Sequence, residues 1–189
     1  MSTSADRFPL LRWVAATTAA ETIGMTAAAT ASVIAGRVVA DASSPAGIAA
    51  SLAIIVAGGL IEGAALGLLP ARVLHRWRAP FRSRWWFVAT LLVAGLGLVM
   101  GALLGAAQAP AFRAAVGRPG RWVAVSTIAW TPTMVVMFGG ATLPDASWSP
   151  AAIILTGVVT GVAAGAVLGL VTGVLMPMLD GRGRPSTSG

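Results

Sequence analysis

Apolar residues fill long stretches of the chain, and polar and charged residues gather in the short segments between them. Five stretches are predominantly apolar over at least 20 residues, at 13–36, 47–69, 85–109, 122–141 and 150–179. A helix rises about 1.5 Å per residue, so about 20 residues cross the ~30 Å hydrocarbon core of a bilayer. The pattern predicts an all-α integral membrane protein with about five transmembrane helices.

Polar residues flank this apolar region at both ends. We expect a polar N-terminal tail over 1–11, a single transmembrane helical domain over 12–180 and a disordered tail over 181–189. The first apolar stretch is too long for the core of a cleaved signal peptide, and it contains Glu21. We therefore interpret it as a helix of the mature protein.

Composition supports this class. Hydrophobic residues make up 57% of the chain and charged residues only 10%, which is outside the balance of a soluble domain. The net charge of +7 comes from arginines near the ends of the proposed spans, where positive charges set topology. We expect the lipid bilayer of the cell (plasma or inner) membrane as the partner, and no nucleic acid.

The chain also contains an internal duplication. RWVAATTAAETIGM at 12–25 aligns without gaps with RWVAVSTIAWTPTM at 121–134, and each copy leads to a similar loop, DASSPA or DASWSPA. This predicts two homologous helical hairpins, at 12–76 and 121–180, joined by a linking helix over 85–109. The linking segment itself has an Arg-Trp start and a GxxxG end.

At these residues the chain resembles a group of small bacterial multi-pass membrane proteins whose units pair an RW start with a GxxxGxxQ end. Gln108 follows Gly101 and Gly105 at that spacing, whereas Pro70 and Thr172 replace the glutamine in the other units. The resemblance implies an architecture and no particular activity.

Glycines recur every four residues in three of the stretches. In a water-exposed helix each glycine costs about 1 kcal/mol relative to alanine, but in lipid small residues let helix backbones approach closely. We predict that these glycines pack helices within the monomer, and the widest stripe is also a candidate seam of a homo-oligomer. They are Gly59, Gly63, Gly67, Gly97, Gly101, Gly105, Gly157, Gly161, Gly165, Gly169 and Gly173.

Charge and geometry disagree over the linking segment. With the N-terminus in the cytoplasm and five crossings, seven arginines lie inside and six outside; a re-entrant linking segment leaves only Arg37 outside. Two re-entrant arms of about 13 residues reach only ~20 Å, and their turn needs burial by protein. We expect one continuous crossing, with re-entry as the alternative. Re-entry makes the hairpins parallel copies; a single crossing makes them inverted repeats, as in many transporters.

Two glutamates are the main candidates for chemistry. Glu21 lies nine residues after Arg12 and Glu62 lies ten before Arg72, so an antiparallel hairpin places both about 14 Å from one membrane face. Ionisable groups within a membrane point to function. The pair could share a proton or bind a cation, or it could act as neutral structural groups bonded to nearby threonines such as Thr22.

The second copy has an interruption at the matching position. Glu21-Thr22 aligns with Trp130-Thr131, followed by Pro132, which removes a backbone donor within the span. Matching interruptions in two halves indicate a transporter site, although prolines that only kink a helix are common in membranes. Thr22, Thr131 and Pro132 are therefore candidates beside the glutamates.

Enzymatic chemistry and bound metals find little support. The chain has no cysteine, one histidine among arginines and no base positioned for a serine or threonine nucleophile. We expect no enzyme, metal or cofactor. Two hypotheses remain: a structural, assembly or accessory membrane component packed on glycines, and a small proton- or cation-coupled transporter that uses Glu21 and Glu62.

Overall fold

The computed structural model describes residues 8–41, 44–78, 80–93, 100–145 and 147–180, and this part of the chain is helical with no strand. Two short 3-10 helices, Ala109–Phe112 and Met176–Leu179, follow the fourth and sixth α-helices. The α-helices are α1 (Leu10–Asp41), α2 (Pro45–Trp77), α3 (Ser83–Val93), α4 (Met100–Gln108), α5 (Arg121–Thr142) and α6 (Pro150–Leu175).

The two similar Ser-Pro loops begin helices in the same way. The Ser44 hydroxyl accepts a hydrogen bond from the N–H of Gly47 (3.2 Å), and the Ser149 hydroxyl accepts one from Ala152 (3.2 Å). A proline follows each serine, at the first turn, where a missing N–H costs nothing. The loops therefore set the starts of α2 and α6.

The six helices form a closed ring. Each packs against the next along the chain, and α6 packs against α1. Successive helices run in opposite directions, so the starts of α1, α3 and α5 meet the ends of α2, α4 and α6. We call this the arginine end, because nine of the ten described arginines lie there and only Arg37 lies at the other end.

Contacts between segments hold the arginine end together. The N–H of Arg82 donates to the carbonyl of Ala111 (3.1 Å), and the N–H of Arg118 donates to that of Leu179 (3.0 Å). The guanidinium of Arg78 lies 3.5 Å from the carboxylate of Asp180. The loop before α3, the loop after α4 and the C-terminal segment therefore all meet at the arginine end.

The prediction of one continuous linking helix over 85–109 is wrong. α3 ends at Val93, and by α4 the chain has reversed: the indole N–H of Trp85 donates to the carbonyl of Ala107 at 2.7 Å. In one helix the 22 residues between them would span about 33 Å. α3 packs against Gly67 of α2, and α4 packs against α5 through its own Gly101 and Gly105.

Three helices are long and apolar enough to cross a membrane in the described part of the chain. They are α2, α5 and α6 with its 3-10 extension, at Pro45–Trp77, Arg121–Thr142 and Pro150–Leu179. This is the architecture of a helical membrane protein, but the predicted layout of five crossings is not confirmed. α1 spans 32 residues, is rich in alanine and threonine, and carries Glu21.

Glycines mark the closest approaches between helices. A Cβ built on Gly161 of α6 would lie 2.6 Å from Cα of Thr22, and one on Gly165 would lie 2.5 Å from Cα of Thr18. On α4, a Cβ on Gly105 would lie 2.8 Å from Cα of Val123. These are backbone contacts that cannot move aside, so only glycine allows them. Three further stripe residues, Gly157, Gly169 and Gly173, face α1 and the Phe8 segment before it.

Other members of the stripes behave differently. A Cβ on Gly101 would meet α5, and one on Gly67 would lie 2.8 Å from the ring of Phe87. Gly63 is buried, and Gly97 lies outside the described residues. A Cβ on Gly59 would meet no described atom within 4 Å. The preceding residue, Gly58, makes the close approach to Ala31 instead. The packing role predicted for Gly59 is therefore not seen among the described residues.

Candidate functional site

Glu21 lies inside the ring, on the face of α1 that packs against α6. Its side chain is fully buried, and neither carboxyl oxygen has a hydrogen-bond partner within the described part of the chain. The glycines of α6 lie against it: a Cβ on Gly165 would approach Cβ of Glu21 to 2.9 Å. A buried polar group without a hydrogen-bond partner destabilises the fold, so this carboxyl group is a candidate functional group.

The structure brings Glu62 to the same part of α1. Gly24 lies one turn after Glu21 on α1, and a Cβ built on it would lie 2.6 Å from Cγ of Glu62. The absence of a side chain on Gly24 therefore makes room for Glu62. Glu62 is half-buried, and it packs against Gly24, which lies one turn from Glu21 on α1. Two acids on adjacent helices therefore form the central pair of the site.

The three other candidates are less close to this pair. Thr22 is next to Glu21, but its hydroxyl donates to the carbonyl of Thr18 (2.7 Å) and not to a carboxylate. Thr131 and Pro132 are exposed on the outer face of α5, and the helix continues through the proline. The structure does not bring these two residues to the glutamates, because Trp130 and Thr133 occupy the buried face.

Between the glutamates and the arginine end lies a buried polar network that the sequence interpretation left without a role. The Trp122 indole N–H donates to Oε1 of Gln108 (3.0 Å), whose amide nitrogen donates to the Thr90 hydroxyl (2.6 Å). The Trp13 indole donates to the Thr172 hydroxyl (2.7 Å). The signal was present in the sequence: a tryptophan in each RW start and a polar residue three positions after two of the GxxxG ends.

This network surrounds a cavity of about 30 Å³ at the centre of the ring. The odd-numbered helices each supply a tryptophan and a hydroxyl one turn later: Trp13 and Thr17, Trp86 and Thr90, Trp122 and Ser126. The even-numbered helices each supply a leucine and a second residue one turn later: Leu66 and Pro70, Leu104 and Gln108, Leu168 and Thr172. The three helix pairs thus contribute equivalent positions, including the short middle pair.

The cavity is lined mainly by apolar surface, but two of its lining residues carry polar groups that water can satisfy. The hydroxyl of Ser126 and the indole N–H of Trp86 are buried without a partner among the described residues. A water needs roughly 10–15 Å³ of such space and two or more polar partners, so the cavity can hold about one or two. The lining also includes Leu66 and Thr17, each one turn from a glutamate.

Aromatic rings close the arginine end above this cavity. Trp86 and Phe112 pack against Trp122, with ring centroids 5.4 and 5.0 Å from it. Phe8 packs edge-on against Trp77 at 4.9 Å. These close-packed rings cover the cavity on the side of the arginine end.

The opposite end has a larger opening. A cavity of about 380 Å³ lies between α1, α5 and α6, with Asp145 exposed at its rim. Its lining includes Met25, which lies one turn from Glu21 on α1. It also includes Gly157, which lies one turn from Gly161, whose Cβ would approach the carbonyl oxygen of Glu21 to 2.6 Å. We call this cavity the vestibule. It approaches Glu21 from the end that carries few arginines.

The rim of the vestibule carries a negative charge. The hydroxyl and N–H of Ser147 both donate to the Asp145 carboxylate, and they hold its pKa below its usual range. Asp145 is therefore ionised at neutral pH. Arg37 is the only described arginine at this end, so the local field is less positive than at the arginine end.

In the described part of the chain, no three histidine, aspartate or glutamate side chains come together as metal ligands. No protein-family model, curated protein or solved structure matches the chain. The site alone is therefore the basis for inferring the function.

Proposed function

We propose that the protein is a small transporter of the cytoplasmic membrane that moves a proton or a small monovalent cation, with Glu21 and Glu62 as its central site. The observation that carries the proposal is the carboxyl group of Glu21, which is fully buried, has no hydrogen-bond partner among the described residues and lies one turn along α1 from Met25 of the vestibule. Ionisable groups inside a membrane are expensive and usually functional.

The arrangement around Glu21 supports a path along the ring. The vestibule with Asp145 at its rim attracts cations, and its threonine and serine hydroxyls (Ser32, Thr156 and Thr160) offer oxygen ligands. Beyond the glutamates, the cavity beside Gln108 has room for one or two waters, which carry protons or solvate a cation. The aromatic rings at the arginine end then act as a closed gate in this state.

Charge supports an orientation. Positively charged residues are retained on the cytoplasmic side of membrane proteins, so the arginine end faces the cytoplasm in this proposal. The vestibule then opens to the outside, and ions enter from there. Because the middle segment returns to the arginine end, both hairpins have the same orientation and are parallel copies.

A structural, assembly or accessory role is the competing proposal. It is favoured by the tight fit of Glu21 against Gly165, which would make the acid a wedge between α1 and α6. Neither proposal involves an enzymatic reaction. Under the second one, the carboxyl group is needed for its shape and not for its proton.

Flux measurements separate the two. The purified protein is reconstituted into liposomes that contain a fluorescent dye for the tested ion (H⁺, Na⁺ or K⁺), and a gradient of that ion is applied. We expect flux of one of these ions, and we expect Glu21→Gln, which keeps the shape of the side chain, to abolish it. Thr131→Val is the control, because Thr131 is exposed on the outer face of α5, away from the glutamates, and its hydroxyl bonds only within that helix.

Unchanged flux in Glu21→Gln with Glu62→Gln would reject the role of the glutamates. Absence of ion-dependent flux in the unmodified protein, with correct folding shown by a sharp thermal transition, would reject transport of these ions. A stable but inactive double variant supports the proposal.

A further inference from the structure

A second cavity, separate from the ring centre, lies at the arginine end between the end of α2 and the start of α3. It has a volume of about 290 Å³, near the lower limit of roughly 300–1,000 Å³ for small-molecule sites. We call it the α2/α3 groove. It faces outward from the ring, because its lining residues Leu68, Arg72, His75 and Arg84 are exposed.

The groove is apolar toward the middle of the helices. Leu68 is 44% exposed on α2, and Phe87 of α3 lies against Gly67, whose Cβ would approach the ring to 2.8 Å. The glycine keeps the two helices close while leaving a channel beside Leu68. A hydrocarbon chain fits such a surface, because both are apolar.

The groove is basic toward the arginine end. Arg72 and His75 of α2 and Arg84 of α3 line it, and all three are exposed. In the described residues the single ion pair joins Arg78 to Asp180, so neither Arg72 nor Arg84 has an acidic partner there. Two unneutralised guanidinium groups at the mouth of an apolar channel favour a phosphate, which arginine binds with paired hydrogen bonds.

The order of these features along the helix axis matches one class of ligand. Gly67 and Leu68 lie deeper, Arg72 lies one turn nearer the end, and His75 lies a further turn out. We propose that the α2/α3 groove binds an anionic phospholipid, with its phosphate between Arg72 and Arg84 and an acyl chain along Leu68 and Phe87. Basic pockets between helices on the cytoplasmic side bind anionic lipid headgroups in this way.

Lipid binding to the purified full-length protein tests this site. Phosphatidylglycerol, phosphatidylcholine or inorganic phosphate is added to the detergent-solubilised protein, and bound lipid is counted by native mass spectrometry. We expect retention of phosphatidylglycerol over phosphatidylcholine, and a loss of affinity of about tenfold or more in Arg72→Gln with Arg84→Gln. The matched control is Arg76→Gln with Arg113→Gln, which removes the same charge from exposed arginines at the same end outside the groove.

Leu68→Trp is the second variant, because it fills the apolar channel without changing charge. We expect it to weaken lipid retention as well. Equal losses in the two double variants would mean diffuse charge attraction and would overturn the proposal. Competition by inorganic phosphate at equal concentration would also overturn it. So would lipid binding that is unchanged both in Leu68→Trp and in Arg72→Gln with Arg84→Gln. That last result is expected if an acidic protein segment, and not a lipid, occupies the groove. Since ion flux is measured separately, failure here leaves the proposed transport function unaffected.

Discussion

The indole N–H of Trp122, at the start of α5, donates a 3.0 Å hydrogen bond to Oε1 of Gln108, at the end of α4. The two residues belong to different helix pairs, so the bond joins the short middle pair to the second hairpin. The matching bond from Trp13 to Thr172 joins α1 to α6 and closes the ring. Polar bonds at equivalent positions thus connect one helix pair to another.

Replacing Gln108 by leucine should destabilise the protein. The variant leaves the buried indole N–H of Trp122 without an acceptor, and an unmade buried hydrogen bond costs about 1–3 kcal/mol. We expect a lower Tm in detergent, measured by intrinsic tryptophan fluorescence. Thr131→Val is the control, since Thr131 is exposed and bonds only within α5. A Tm of Gln108→Leu equal to that of the control would contradict the network.

Glycines with and without close neighbours should respond oppositely to alanine. In Gly161→Ala the new methyl group meets the α1 backbone 2.6 Å away, and overpacking of this kind costs about 1–3 kcal/mol. Gly59→Ala meets nothing within 4 Å, and alanine has a higher helix propensity by about 1 kcal/mol. We expect the Tm to fall in the first variant and to stay equal or rise in the second. A fall of similar size in both would mean that Gly59 is also a contact site, as in an oligomer.

Single cysteines should report the orientation of the ring, because the chain has none of its own. Ala114 lies exposed at the arginine end and Ala46 lies exposed at the opposite end. In intact cells we expect an impermeant thiol reagent to label Ala46→Cys, and to label Ala114→Cys only after lysis. Labelling of both variants in intact cells would restore a single crossing by the middle segment and reject the fold-back in the membrane.

A cysteine in the vestibule should be reactive from outside. Ser32 is exposed and lines the vestibule, so Ser32→Cys should react with an impermeant thiosulfonate reagent, and the added group should slow ion flux. Ile55→Cys is the control: Ile55 is exposed on the outer face of α2, where lipid disfavours the reactive thiolate. If Ser32→Cys is no more reactive than the control, the vestibule is not open to water.

Several features were accessible from the sequence because they depend on local or periodic properties. Long apolar stretches identify membrane-capable helices without knowledge of their partners, and the positions of Ser44 and Ser149 before proline mark two helix starts. The registers of Glu21 and Glu62 relative to Arg12 and Arg72 also predict similar depths, since rise per residue is constant in a helix.

The linking segment shows where this reasoning fails. A run of 25 apolar residues is long enough for one helix, and hydropathy does not distinguish one long helix from two short ones that are covered by neighbours. The charge distribution did favour the fold-back, because it collects the arginines on one side. The deciding contacts, such as Trp85 to Ala107, come from residues 22 positions apart and have no local signal.

What the sequence determined by itself is the class of the protein: a helical chain whose apolar length and arginine positions suit a membrane. Tertiary structure decided which faces of these helices meet. It placed Gln108 against Trp122, left the buried Glu21 without a partner among the described residues, and turned Thr131 and Pro132 outward. Periodicity fixes the direction of a side chain around its own helix axis, whereas its neighbours depend on how distant helices rotate and pack against one another.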